Sequence, residues 1–209
     1  MEEIIIKTQL EYDDLVDKFI ESKRDRFPRV GIRILLENPM DKISIHRHHE
    51  SFIMSVEGQG RIHFNTAWRI SVLGSIYCSA DNGYIVIKGQ RVGCDAFNKT
   101  ILSICPDSDS NILACNDVVV FAQGKGEITA CGKSVVYARG LQTIMCRQSA
   151  TVHMISPKST VQSSIKNKWF GSCFDYRRNP NQLPLEGNVK YIVKNPYHHP
   201  PTIHYNGYI

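Results

Sequence analysis

The sequence is short of nearly every feature from which a function is read directly. No apolar run approaches the ~20 residues needed to cross a bilayer, and the opening MEEIIIKTQL starts acidic, without the basic start and small-residue cleavage site of a signal peptide. A cytoplasmic protein without membrane contact is therefore expected. No G-x-S-x-G, no Walker phosphate loop and no dinucleotide fingerprint occurs; GQGRIHF and AQGKGE are too short and lie wrongly before strands. Seven cysteines (Cys78, Cys94, Cys105, Cys115, Cys131, Cys146, Cys173) form an odd set with no CxxC pair, which fits reduced, partly buried thiols better than a disulfide framework or a zinc ribbon. Acidic residues are scarce where the chain is most regular, since residues 111–155 hold only Asp117 and Glu127. That scarcity argues against polysaccharide cleavage by general acid–base chemistry, which needs two clustered carboxylates. A non-enzymatic protein without a cofactor is the expectation these absences leave.

What is present is a chain of ordinary globular composition. With 209 residues, 42% hydrophobic and 22% charged, it can bury one substantial core, so one domain with terminal extras is expected. The net charge of +5 is mild, and its clusters are Lys23, Arg24 and Arg26 with Arg29, and the pair Arg177 and Arg178. Such patches serve as solvated surface, or meet an acidic partner or a nucleic-acid backbone.

The most regular stretch is NILACNDVVVFAQGKGEITACGKSVVYARGLQTIMCRQSATVHMI, residues 111–155. Ile112, Val120, Ile128, Val136, Ile144 and Val152 stand eight residues apart without a break. Two residues after each comes Ala114, Ala122, Ala130, Ala138, Cys146 or Met154, and two further on a third row, Asn116, Gly124, Gly132, Gly140 and Gln148. Residues at i and i+2 of a strand share a face, and turn-prone types at i+4 let the chain bend before the pattern restarts. Eight residues are too few for a helix and a connection, yet they suit one short strand and one corner. The pairs Leu102/Ile104, Cys94/Ala96, Ile85/Ile87, Ile76/Cys78, Ile70/Val72, Ile62/Phe64 and Met54/Val56 extend the alternation upstream in less even steps. The fold expected is mainly β: a parallel β-helix, or β-solenoid, over residues 43–163, with the Ile/Val and Ala rows inside. Two units per coil give roughly seven coils at ~4.8 Å each. Outward residues then stack in columns: Phe121, Tyr137 and His153 in one, Leu113, Thr129 and Met145 in another, and Cys115, Cys131 and Arg147 at a corner. The aromatic column is either a ladder stabilising the rod or a contact surface.

Both ends differ from this middle. Residues 1–42 read as a strand–helix cap: Ile4-Ile5-Ile6 is β-prone, Thr8 and Glu11 have the capping-box spacing, and Tyr12, Leu15, Val16 and Phe19 recur at helical spacing until Pro28 stops the helix. Residues 164–209 are rich in aromatics, Asn and Pro, with one strand expected at Val189 to Val193, and read as an irregular C-terminal cap over the last coil. The loose end NPYHHPPTIHY, with Tyr197, His198 and His199, is alternatively a recognition segment.

In two places the sequence resembles known families. IIIKTQLEYDDL (residues 4–15) and GEITACGKSVVYARG (residues 126–140) resemble the opening and the repeats of degenerate octapeptide β-solenoids encoded in phages and bacteria. That likeness is architectural and implies no catalytic residue. ISIHRHHESFIMSVEGQGRIHF resembles the first motif of a cupin, in which H-x-H and a following Glu hold a metal inside a barrel. Its ligands would be His46, His48, Glu50 and His63, a set suited to Fe, Mn, Ni or Zn. Glu50 lies closer to His48 than in a cupin, and the second cupin motif is missing. A surface or corner cluster is the competing reading.

The functional expectation is a non-enzymatic macromolecular binding protein that docks a rigid sheet face and its termini on a protein or ribonucleoprotein. Phe121, Tyr137, His153, Arg139, Arg147, Tyr197, His198 and His199 are its candidate contacts. The phage-like resemblance implies an inhibitor of a bacterial defence system, of the anti-CRISPR type. A metal-dependent cupin-like enzyme and a structural virion or surface protein are the alternatives.

Overall fold

A computed structural model of the chain describes residues 3–21, 29–65, 67–155, 160–163, 172–176 and 190–193. The chain opens with β1 (Glu3–Ile6) and α1 (Gln9–Glu21), followed by β2 (Val30–Leu36) and β3 (Lys42–Ile45). Three long strands and a short one come next: β4 (Phe52–Phe64), β5 (Ala67–Val72, the short one), β6 (Ser75–Ile87) and β7 (Gln90–Ile104). Short strands then alternate as β8 (Asp109–Ala114), β9 (Val119–Ala122), β10 (Lys125–Ala130), β11 (Val135–Ala138), β12 (Leu141–Cys146), β13 (Thr151–Met154) and β14 (Thr160–Ser163). Two more, β15 (Ser172–Asp175) and β16 (Lys190–Val193), complete the described strands.

All pairings between them are parallel, and they fall into two ladders. Face I runs β1-β2-β4-β5-β6-β7-β9-β11-β13-β15-β16, and face II runs β3-β4-β6-β7-β8-β10-β12-β14. Strands β4, β6 and β7 pass through a corner and serve both faces, their first and second halves pairing in different ladders. The molecule is therefore a two-faced β-solenoid of about seven turns, each coil making one pass on each face.

The rows read from the sequence are the core. Ile128 sits in register between Ile112 and Ile144, and Val136 between Val120 and Val152. All six are buried, as are the Ala, Cys and Met residues two positions on. Upstream, Met54, Ile70, Ile85 and Leu102 continue the face I row. On face II the register differs from expectation at one pair. Cys94 and Ala96 lie beside Cys78 and Ala80, so the structural pair is Cys78/Ala80 rather than Ile76/Cys78. The step from Cys78 to Ile85 is seven residues (85 − 78) and that from Ile85 to Cys94 nine (94 − 85), since one residue of β6 faces two of β7 after Ala80 and Arg91 is extra in β7. Even steps therefore misplace the pair by two.

Two corners join the faces, and they solve different problems. After face II the chain turns at Asn98, Asn116, Gly132 and Gln148, all with φ between 55° and 68°. Their amides help hold the column: Asn116 Nδ2 donates to Asn98 Oδ1 at 3.3 Å, and the Gly132 N–H donates to Gln148 Oε1 at 2.6 Å. After face I the limit is space rather than φ. A Cβ on Gly140 would overlap the carbonyl oxygens of Gly124 and Gln123, and one on Gly124 would overlap those of Ser108 and Cys105. Backbone lies directly on backbone there, so only glycine fits.

The N-terminal end is closed by the expected strand and helix. Glu11 Oε2 accepts from the Thr8 N–H at 3.1 Å while Thr8 Oγ1 accepts from the Glu11 N–H at 3.2 Å, forming the capping box. Tyr12 and Val16 are buried, with Leu15 and Phe19 packed on the core. Gln9 takes the place of a further strand on face II: its Oε1 accepts from the Ser44 N–H at 2.6 Å and its Nε2 donates to the Ser44 carbonyl at 3.0 Å. One side-chain amide thus satisfies both backbone groups of Ser44 on the open edge of β3. The ladder also includes β1 and β2, which pair in register before residue 43, and β15 and β16, which prolong face I after residue 163. Pro28 lies outside the described residues.

Gly140→Ala should lower stability by about 1–3 kcal/mol, the usual range for forced overpacking, while the exposed Lys133→Ala should stay within about 0.5 kcal/mol. Urea unfolding of both variants checks this; matching midpoints would show that the corner has room for a Cβ.

Candidate functional site

In-register parallel strands put like positions over one another, and the outward residues of face I show the consequence. Tyr137 pairs with Phe121 on one side and His153 on the other, and His153 pairs with Phe174. Their rings stack nearly parallel, with centroids 5.2 Å apart for Phe121 and Tyr137, 4.7 Å for Tyr137 and His153, and 5.2 Å for His153 and Phe174. Tyr176 joins from the side, its hydroxyl 3.3 Å from His153 Nδ1. Stacking consumes the ring faces and leaves edges outward. Tyr137 is only 6% and His153 only 7% exposed, whereas Phe121 and Phe174 stay half-buried. The middle of the column is thus interior material, a ladder along the rod, and its ends retain accessible ring.

Burial also sets the protonation of this column. Desolvation holds His153 neutral by lowering its pKa to about 4 and pushes the Tyr137 and Tyr176 phenols up. Phe174 and Tyr176 were not foreseen from the sequence. The step from Val152 to its partner Cys173 spans 21 residues (173 − 152), against 16 for the preceding step, and this insertion hides them from the repeat.

Arg139 is exposed directly after β11, on the outward side two residues beyond Tyr137. Arg147 is half-buried at the other corner in line with Cys131 and Cys115, as the column expectation had it, the register being carried on by Arg147 N–H to Ala130 and Cys131 N–H to Ala114. The Cys115 thiol is pushed up to about 12, first by desolvation and then by Cys131. None of the seven cysteines forms a disulfide. Leu113, Thr129 and Met145 form the expected column on face II. Tyr197, His198, His199, Lys23, Arg24, Arg26, Arg177 and Arg178 lie outside the described residues; Arg29 is exposed just before β2.

The histidine cluster occupies the corner between β3 and β4 and the face II strand beyond it. His46 stands beside His63 with ring centroids 6.1 Å apart. His49 turns instead to Phe19 and Phe52, with Nδ1 accepting from the Ser51 N–H at 3.2 Å. Glu50 is exposed in the turn and His48 half-buried. No group of three or more His, Cys, Asp or Glu that could hold a metal occurs among the described residues. The cupin-like ligand set therefore does not converge, because a coil spreads one strand's residues along a face where a closed barrel would point them to a common axis. His63 has other company: Nδ1 lies 2.6 Å from Ser79 Oγ, and Nε2 lies 3.9 Å from Asp81 Oδ2. The order of groups is that of a nucleophile, a base and an orienting carboxylate, but the second spacing exceeds a hydrogen bond. Ser79 also sits mid-ladder, with β6 paired to β4 and β7. Its backbone is committed to the sheet on both sides.

No helix among the described residues is long and apolar enough to cross a membrane. No protein-family model, no curated protein and no solved structure matches the chain.

Because the His153 pKa falls on folding, the unfolded chain binds an extra proton between pH ~6.5 and ~4. Stability is then full above pH 6.5, declines as pH falls through that window and levels off below about 4. Unfolding midpoints of wild type and His153→Phe, measured across this range, should diverge on the acid side in favour of the variant; parallel curves would contradict a neutral His153.

Proposed function

We propose that the protein is a non-enzymatic binding protein that docks one face of its solenoid onto a macromolecular partner, a protein or a ribonucleoprotein. The observation that supports this is the face I column: Phe121, Phe174 and Tyr176 keep accessible ring around a buried Tyr137–His153 pair, with the exposed Arg139 alongside. Aromatic residues and Arg are the types that anchor interfaces, and a buried support lets the outer rings meet a partner without first being ordered. The in-register backbone beneath them fixes their spacing. Arg147 at the opposite corner extends the same reading, and Tyr197, His198 and His199 are proposed as further contacts.

The concrete form of this role is an inhibitor of a bacterial defence nuclease of the CRISPR type, encoded by a phage. It rests on the likeness of the repeat and of the opening segment to phage-borne solenoids, and on the suitability of a small rigid body for blocking a much larger enzyme. Basic residues such as Arg29 and Arg139 suit a guide or target strand at the edge of such a contact.

Target cleavage by a panel of purified guide-loaded CRISPR nucleases, with and without the protein, tests the proposal. Inhibition of one class is expected, with retention of that nuclease on the immobilised protein, and both should fall at least tenfold in Phe121→Ala/Arg139→Glu while Lys133→Ala behaves as wild type. Cleavage unaffected across the panel would remove the inhibitor reading; inhibition undiminished in the double variant would remove the face I contact.

A further inference from the structure

Face II carries a recess that the partner reading does not use. Its volume is about 170 Å³, and it is lined by Arg91, Val92, Gly93, Asp109, Ser110 and Asn111. Two local departures from the repeat create it. Gln90 pairs with Asp109 and Val92 with Ser110, so Arg91 is an extra residue bulged out of β7, at φ 61°. Positive φ is uncommon outside glycine, and a bulge re-aims the side chain it carries. The second departure is Gly93, an outward position whose missing side chain leaves room for the Tyr77 ring of the neighbouring strand. The alternation of burial puts Val92 and Ser110 inward, so they supply the floor, while the exposed Arg91, Asp109 and Asn111 stand at the rim.

An aromatic ring borders the recess at Gly93. Tyr77 pairs with Gly93 across the ladder, and its ring packs over that glycine, where a Cβ would come within 2.8 Å of Cδ2. The Tyr77 hydroxyl donates to Asp95 Oδ2, and that hydrogen bond, ahead of burial, pushes the phenol up to about 12. The ring is pinned at both ends yet remains 45% exposed. A fixed, accessible aromatic surface thus stands beside a cation, a carboxylate and an amide.

We infer that this recess is a saccharide-binding site for a single pyranose unit. A pyranose presents an apolar C–H face and a rim of hydroxyls, each of which both donates and accepts. The Tyr77 ring offers the apolar platform. The Asp109 carboxylate and the Asn111 amide oxygen accept from hydroxyls, and the Arg91 guanidinium and the Asn111 amide donate to them. Asp109 and Asn111 are two residues apart on β8 and face the same way, a spacing that suits neighbouring hydroxyls of one ring. The volume admits one sugar unit rather than a drug-sized ligand, since drug-sized pockets begin at roughly 300 Å³. A charged phosphate is the less suitable guest because Asp109 repels it.

Two-dimensional amide NMR of the full chain, titrated separately with the methyl α-glycosides of glucose, galactose and mannose, tests the site. Saturable shifts are expected for at least one glycoside, centred on Tyr77, Gly93, Arg91 and Asn111, with millimolar affinity. Arg91→Gln and Asn111→Ala should each weaken binding about tenfold without loss of spectral dispersion, and Ser134→Ala, at the far corner, should leave it unchanged. Glycerol and inorganic phosphate should give no saturable shift at these residues. Absence of saturation with every glycoside would overturn the inference. So would shifts that persist undiminished in Arg91→Gln/Asn111→Ala, or equal shifts from glycerol or phosphate.

Discussion

The structure depends on one constraint: each coil hydrogen-bonds to the next in register, so that outside the bulges a residue has its own equivalent about 4.8 Å above or below it. Parallel pairing of this kind propagates a choice made at one position along the whole rod. Where the choice is Ile over Val over Ile, the column is a continuous core row; where it is Phe over Tyr over His, it is a stack of rings. An aliphatic side chain gains contact with both neighbours, and so does a planar ring. A charge gains nothing unless its neighbour is opposite, which is why acidic residues are rare in the best-ordered coils.

The same constraint dictates the corners. One corner is reached by left-handed residues whose side-chain amides bond up and down their column, so Asn and Gln serve there as well as glycine. At the other, backbone carbonyls crowd the Cβ positions of Gly124 and Gly140, while Ser108 takes the equivalent place one coil earlier. At the ends the constraint becomes a liability, because the first coil has no neighbour beneath it. Gln9 answers on face II by presenting a side-chain amide where the next peptide group would be, and β1 answers on face I.

Functional chemistry has to be written on this lattice either as a column or as an interruption of one. The aromatic column is the first kind, and it was legible because its residues keep the spacing of the repeat: Phe121, Tyr137 and His153 follow directly from the rows inside them. Its buried middle was not legible, since burial depends on what lies over the rings rather than on their phase. Phe174 and Tyr176 were hidden by the insertion before β15. The recess around Arg91 is the second kind. It exists because β7 slips by one residue against β8, and a slip looks like noise in a periodic pattern. The pairs His63 with Ser79 and Tyr77 with Asp95 were invisible for the same reason, lying in the half of the chain where the steps between coils are uneven.

By itself the sequence determined which residues face inward and which positions turn, because a period of eight with two-residue alternation describes one short strand and a corner; that two such units close a coil was decided by the pairing of residues 16 apart. It also determined the capped beginning, through local capping and helical spacing. Only the tertiary structure decided the register of the early coils, the extent of the ladder beyond residues 43 and 163, and the fate of the histidines. Those depend on bulges and on long steps between coils, which alter phase by single residues. A one-residue change in phase moves a side chain from core to surface, and nothing in the local sequence reports it.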